Sequence, residues 1–281
     1  MCGKCGCSDP TNEVKMVDPA TGVETLIRHG GLVQADDHSN GHHHDHDHHH
    51  HQPHEGEDKP HVHGPNGEVI SLEQAVLSKN DQIAARNRGW FEGRGVLALN
   101  LVSSPGSGKT TLLERTIREL KGKRAIYVIE GDQMTSNDAE RVRDAGAKAL
   151  QINTGAGCHL EADMIADAVE QLNPEPGSIL MIENVGNLVC PSMFDLGERM
   201  KVAVISTTEG EDKPLKYPHM FRAAEVVLIN KMDIAEVVEF DEDACRSNIA
   251  EVNPRATVLS LSAKTGQNFE PWINKLVEHR Q

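Results

Sequence analysis

The run Val96-Leu97-Ala98-Leu99-Asn100-Leu101-Val102 leads into Ser103-Ser104-Pro105-Gly106-Ser107-Gly108-Lys109-Thr110-Thr111, and a helical pattern then extends from Lys109 to Leu120. A strand, a glycine-rich turn and a helix in that order make a phosphate-binding loop of the form G-x-x-x-x-G-K-[ST]. Ser103 stands where the first glycine is usual, and the remaining positions fit. Gly106 and Gly108 let backbone N–H groups curl round phosphate oxygens. Lys109 reaches the β- and γ-phosphates, and Thr110 offers a hydroxyl to Mg²⁺. The helix N-terminus adds a favourable dipole. The phosphates are expected on Ser104 through Thr111; a plain Gly/Ser turn leaves the strand–loop–helix context unexplained.

The alternation continues outward from this loop. Short apolar runs lie at 125–129, 149–152, 179–182, 202–205, 226–229 and 257–261, with helical stretches near 139–145, 160–172, 243–252 and 268–279. Apolar strands separated by helices predict an α/β fold with a mainly parallel sheet covered on both faces, a P-loop NTPase domain over residues 96–281. Upstream, Ser71 and Gln74 fit a capping box. Leu72, Ala75, Val76 and Ile83 give a partial apolar stripe, and Gly93 and Gly95 end the pattern, so 71–95 reads as a helical lead-in packed on the domain. Residues 1–70 are rich in His, Asp, Gly and Pro. Such a segment buries too little surface to offset its ordering entropy, and is expected to be flexible.

The run at 226–229 ends in Asn230-Lys231-Met232-Asp233, which fits N-K-x-D. A carboxylate at Asp233 accepts both N–H groups on guanine's Watson–Crick edge, a pair adenine does not offer. Lys231 can lie over the ring, and Asn230 can reach N7 and tie to the phosphate loop. Ser262-Ala263-Lys264 fits the loop whose backbone N–H meets guanine O6. GTP and GDP are therefore the expected nucleotides. On the Mg²⁺ side, Glu183-Asn184-Val185-Gly186 has Glu183 where an aspartate is usual, and Glu130-Gly131-Asp132 follows the second strand. Asp132 can bind Mg²⁺ through water or orient the attacking water; the plain alternative is an acid capping the next turn. Lys109, Asp132 and Glu183 are the candidate catalytic residues, because phosphoryl transfer needs positioning and charge stabilisation more than a strong base.

Cysteine occurs six times, three of them in Met1-Cys2-Gly3-Lys4-Cys5-Gly6-Cys7. The spacing is too tight for a disulfide framework and suits metal binding by Cys2, Cys5 and Cys7, with the terminal amine near. Residues 38–63 hold twelve histidines, an internal tract interrupted by Asp45 and Asp47, suited to buffering several ions weakly. Inside the domain, Cys158-His159 and Cys190 lie on loops that leave the carboxyl ends of their strands, the phosphate-loop edge. Two thiolates and one imidazole suit Zn²⁺ or Ni²⁺. Three ligands are one short of a closed tetrahedral site, which water or a second subunit can complete. Cys245, His219 and His279 read as structural.

Lys and Arg total 28 against 43 Asp and Glu, a formal charge of −15. Residues 1–70 carry 4 basic and 12 acidic side chains, so −8 of it sits there. That excludes a nucleic-acid binder, which needs a basic footprint. No apolar run approaches the ~20 residues of a membrane helix. No charged-then-apolar leader marks the N-terminus, and the expected compartment is the cytoplasm.

Together, the M-C-x-x-C-G-C start, the His-rich tract, S-S-P-G-S-G-K-T, E-N-V-G-N-L-V-C-P and N-K-x-D resemble the HypB family of hydrogenase nickel incorporation GTPases. The resemblance covers Val96 to the C-terminus and, separately, the first seven residues; the His tract matches in composition only. It implies a SIMIBI-type P-loop fold, a GTP-linked homodimer, a HypA-like nickel chaperone as partner and a [NiFe]-hydrogenase large-subunit precursor as destination. The family's metal ligands fall on Cys158, His159 and Cys190, and on Cys2, Cys5 and Cys7. The alternatives are a urease-type nickel GTPase and a nickel storage protein with a regulatory GTPase domain.

Overall fold

A computed structural model describes residues 14–18, 24–27, 61–63, 69–132, 137–155 and 157–278. In chain order they form β1 (Val14–Val17), β2 (Glu24–Ile27), β3 (His61–His63), β4 (Val69–Ser71), α1 (Leu72–Gly93), β5 (Leu97–Ser103), α2 (Lys109–Leu120), β6 (Ile126–Asp132) and α3 (Asn137–Ala145). There follow β7 (Lys148–Asn153), α4 (Ala162–Leu172), β8 (Ile179–Glu183), α5 (Cys190–Met193) and β9 (Met200–Ser206). The chain continues through α6 (Lys213–Lys216), α7 (Pro218–Ala223), β10 (Val226–Asn230), α8 (Glu242–Val252), β11 (Thr257–Ser260) and α9 (Glu270–Glu278).

The main sheet runs β11-β10-β9-β5-β8-β6-β7-β1-β2. From β11 to β7 every pairing is parallel. Parallel strands put all their carboxyl ends on one edge, so the loops after β5, β6, β7, β8, β10 and β11 open together. All seven residues of β5, at the centre of the sheet, are buried. One face packs α2 and α9, where Leu112, Leu113 and Trp272 meet Leu99 and Leu101. Elsewhere α1 and α4 bring Phe91 and Ile165 against Ala98 and Ile129. The Trp272 indole N–H donates to Thr116 Oγ1 at 2.9 Å, which satisfies the one polar group of a fully buried ring.

Two features differ from the sequence reading. Within the segment expected to be flexible, β1 adds antiparallel to β7 with Met16 opposite Ile152, and β2 pairs with β1. Met16 is 5% exposed. The β1 backbone pairs with the edge of β7, and the alternation Lys15-Met16-Val17 turns Met16 into the core with Ile152 while Lys15 and Val17 stay half-buried. The second difference is the docked face of α1. The capping box forms as read, Gln74 N–H donating to Ser71 Oγ at 3.2 Å and Ser71 N–H to Gln74 Oε1 at 3.4 Å. Ala75, Val76 and Ile83, however, are only half-buried, and the face against the domain is Asn80, Ala84, Asn87 and Phe91. Those positions recur at helical spacing, but two of them are asparagines.

The asparagines work as clamps. Asn80 donates to the Asp195 carbonyl at 2.7 Å and accepts from Ala162 N–H at 2.9 Å. Asn87 donates to the carbonyls of Ala162 at 2.7 Å and Leu196 at 3.1 Å. A Cβ on Gly197 would lie 2.6 Å from the Ala84 carbonyl, so only glycine lets the helix approach this closely. The Arg88 guanidinium grips both Asp195 oxygens at 2.7 Å. Burial disfavours the Asp195 carboxylate, but the Arg88 fork and the Gly197 N–H outweigh it and hold the group below its usual pKa.

A depressed carboxylate stabilises the fold above its unfolded pKa, and that gain is lost as pH falls through the folded value. Asp195→Asn is therefore expected to cost stability at neutral pH and nothing in acid. The side chains keep 37% and 39% of their surface in water, which limits the loss to about 1 kcal/mol. Thermal melts of both proteins at pH 7 and near pH 2, well below the ordinary carboxylate pKa, check this; a gap that persists unchanged in strong acid refutes the pairing as its source.

Candidate functional site

The phosphate loop leaves β5 with Gly106 at φ +77° and Gly108 at φ +94°, conformations that favour glycine. Gly108 has a second constraint, because a Cβ there would lie 2.6 Å from Asn230 Nδ2. Asn230 Nδ2 donates to the Ser107 carbonyl at 2.9 Å, and its Oδ1 accepts from Ala263 N–H at 3.0 Å. This one carboxamide joins the phosphate loop to the Ser262-Ala263-Lys264 loop. Lys231 Nζ donates to the Gly106 carbonyl at 2.7 Å, and Ser262 Oγ donates to Asp233 Oδ1 at 2.6 Å. The Asn230–Asp233 stretch, the Ser262–Lys264 loop and the phosphate loop thus form one bonded group.

Lys109 Nζ donates to Ser103 Oγ at 2.6 Å, and Ser107 Oγ donates to the same oxygen at 2.7 Å. Ser103, the departure from the glycine pattern, is fully buried and holds the lysine at the loop's base. A cleft of about 430 Å³ opens above it, lined among others by Lys109, Thr110, Glu130, Asp132, Glu183 and Gly186. Thr110 Oγ1 donates to Glu183 Oε1 at 3.1 Å. Hard oxygen donors from Thr110, Glu130, Asp132 and Glu183 around one cleft are a donor set that fits Mg²⁺. A Cβ on Gly186 would lie 3.0 Å from Pro105, so the loop after β8 rests directly on the phosphate loop.

Along the same edge, Cys158, His159 and Cys190 bring their ligand atoms within 4.8 Å of one another. The Cys158 sulfur lies 3.0 Å from that of Cys190 and 3.7 Å from His159 Nδ1. The imidazole stacks on Phe194 at 3.9 Å, and its Nε2 faces Glu161 at 3.6 Å. At that distance Nε2 makes no hydrogen bond to the carboxylate, and the ring is placed by its packing on Phe194 with Nδ1 toward the Cys158 thiol. By contrast Cys245 lies fully buried on α8, where burial and then Glu211 push its thiol up to about 12. It stays a core residue, as read. Cys2, Cys5 and Cys7 and residues 38–60 lie outside the described residues, as does His279.

The CobW/HypB/UreG nucleotide-binding domain model matches residues 97–260. The hydrogenase maturation factor HypB of Rhizobium leguminosarum bv. viciae is 60% identical over 211 residues, covering 75% of this chain and 71% of that protein. The chain belongs to the HypB family. HypB of Escherichia coli K12 is 52% identical over 230 residues, covering 81% of this chain and 79% of its own length. The crystal structure of HypB from Helicobacter pylori in complex with nickel superposes with a TM-score of 0.68 at 42% identity, over 71% of this chain and 94% of that one.

Two residues of this HypB-type cleft escape a motif reading. Ser103 looks like a defect in the phosphate loop until its contacts are known. Arg141 of α3 lines the cleft and is held by Glu114 at 2.9 Å. A larger cavity, about 880 Å³, lies elsewhere, at the amino ends of the central strands among Arg88, Arg94, Arg124 and Arg199. None of the motif residues lines it. No helix among the described residues is long and apolar enough to cross a membrane.

Proposed function

We propose that this chain is a GTP-hydrolysing nickel metallochaperone. It stores nickel in residues 1–70 and delivers it from Cys158, His159 and Cys190 for maturation of a [NiFe]-hydrogenase. Residues 71–95 are the lead-in and 96–281 the GTPase domain. The observation that carries the reading is the shared loop after β8: Glu183 touches Thr110 in the phosphate cleft, and Cys190 of the metal cluster follows seven residues later. Two thiolates and an imidazole favour Ni²⁺ or Zn²⁺ over hard cations.

Asp233, fixed by Ser262, accepts guanine's N–H groups, while Lys231 and Asn230 frame the base and the Ala263 and Lys264 loop meets O6. Ser104 through Thr111 cradle the phosphates, with Lys109 leaving Ser103 for the β- and γ-oxygens. Mg²⁺ held by Thr110 and by Glu183 neutralises phosphate charge when bound. Asp132 orients the attacking water. Two chains meet in the GTP state and supply the ligand each site lacks; GTP turnover separates them and passes nickel on. The partners in this reading are a HypA-like chaperone and a hydrogenase large-subunit precursor in the cytoplasm, which membership of the HypB family supports.

Nickel affinity and oligomeric state, measured with GDP and with a non-hydrolysable GTP analogue, test this. Tighter or shared binding in one state supports it, and identical behaviour in both rejects it. Base choice is tested by Asp233→Asn, which donates where the carboxylate accepted. GTP use is expected to fall on the order of 10²-fold or more, with xanthosine triphosphate preferred. Equal use of ATP and GTP by the parent protein rejects the guanine assignment.

A further inference from the structure

Asn100 is a carboxamide with no exposure at the middle of the central strand β5. A buried amide is tolerated only when its polar atoms are bonded, and here the bonds run in series. Asn184 Nδ2 donates to Asn100 Oδ1 at 3.2 Å, and Asn100 Nδ2 donates to Glu198 Oε1 at 3.1 Å. Glu198 Oε1 lies 3.5 Å from Lys201 Nζ, and Glu198 Oε2 accepts from Leu196 N–H at 2.7 Å. Asn184, Glu198 and Lys201 are 1%, 8% and 8% exposed.

The ends of this chain fall beside the metal ligands. Asn184 Oδ1 accepts from Leu160 N–H at 3.2 Å, next to His159. Lys201 Nζ donates to the carbonyl of Pro191 at 2.9 Å, inside α5 and directly after Cys190, and to that of Phe194 at 3.1 Å, at the end of α5. Asn184 itself follows Glu183, which Thr110 contacts in the phosphate cleft. Leu160 has a second link to that cleft, since a Cβ on Gly131 would lie 2.8 Å from its Cγ. Because each amide has one donor and one acceptor end, the order of bonds fixes every group's orientation. A displacement at Glu183 therefore reaches both ligand loops by hydrogen bonds and close packing, without crossing solvent.

We propose that Asn100, Asn184, Glu198 and Lys201 form a positioning relay that couples the Cys158–His159 loop and Cys190 to Glu183, so that the nucleotide sets the spacing of the metal ligands. None of the four needs to touch metal or nucleotide for this role. The inference rests on the GTP-linked metal site proposed above and names its coupling element.

The test uses the full chain with Cys2, Cys5 and Cys7 changed to Ser, so that nickel–thiolate charge-transfer absorption reports on Cys158 and Cys190. Ni²⁺ is titrated with GDP and with a GTP analogue in this parent and in its Asn100→Ala and Glu198→Gln variants. The parent is expected to show an affinity ratio of about fivefold or more between the two nucleotides, and each variant about twofold or less. GTP turnover and one thiolate-bound nickel per chain are retained. Glu198→Gln conserves volume, and it decides the matter if Asn100→Ala does not fold. Variants that keep the parent ratio overturn the relay alone. Variants that lose turnover and nickel together also overturn it, since that is the result of a merely structural cluster. A parent with no nucleotide-dependent affinity overturns the proposed function and the relay with it.

Discussion

Lys109→Ala is expected to lower GTP turnover by about 10³-fold or more, at the upper end of what one transition-state donor contributes. Lys109 is 8% exposed at the base of the cleft, and no other lysine or arginine sits on the phosphate loop to replace it. Arg141 reaches the cleft from α3, but Glu114 holds it. Ser103 Oγ still has Ser107 as donor and the Ser104 carbonyl as acceptor at 2.6 Å, so the loop keeps internal bonds in the variant. Loss of rate without loss of fold is therefore the expected pattern. Steady-state hydrolysis with circular dichroism as control measures it, and turnover within tenfold of the parent removes Lys109 from the mechanism. Nickel binding at Cys2, Cys5 and Cys7 is expected to be unaffected.

Cys190→Ala is expected to weaken nickel at the internal site by more than about 100-fold, beyond the 10–100-fold typical of a lost supporting residue. One thiol of two is removed from a candidate set that has three donors among the described residues. The side chain is small and does not line the phosphate cleft, so basal GTP hydrolysis is expected to stay within a few-fold. Alanine is a good helix former at the start of α5, and Pro191 still sets the backbone there. Affinity for thiolates falls with pH because bound thiols must lose protons. The titration, run with Cys2, Cys5 and Cys7 changed to Ser, is best made near pH 7.5. An unchanged isotherm would show that Cys190 is no ligand.

How much of this was legible in sequence follows from range. The phosphate loop and N-K-x-D are contiguous, and strand-to-helix alternation gave α2 as Lys109–Leu120 and placed β5 to β11 within a few residues. The sharing of one sheet edge by Cys158, His159 and Cys190 also followed from parallel topology; their separations did not. Short helices α6 and α7 went unread because Lys213-Pro214 and Tyr217-Pro218 carry turn chemistry as readily as helix starts. The docked face of α1 was misread because apolar spacing points to Ala75, Val76 and Ile83, whereas Asn80 and Asn87 dock by hydrogen bonds to residues 75 to 115 positions away. Asn100 pairs with Glu198 across 98 positions, and no local pattern announces a partner at that distance.

The clamps of α1 bear on where this protein can be cut. Ala162 N–H, the Ala162 carbonyl, the Asp195 carbonyl and the Leu196 carbonyl all take their partners from Asn80 and Asn87. Ala162 opens the helix after Cys158 and His159, and residues 195 and 196 follow Cys190. A fragment trimmed to residues 97–260, the span of the matching domain, would keep the phosphate cleft and surrender those four groups to water. It would also lose Trp272 and the rest of α9 from beneath α2. The matching nucleotide-binding domain begins at the central strand, whereas the support of the loops that carry Cys158, His159 and Cys190 begins a whole helix earlier, at Ser71.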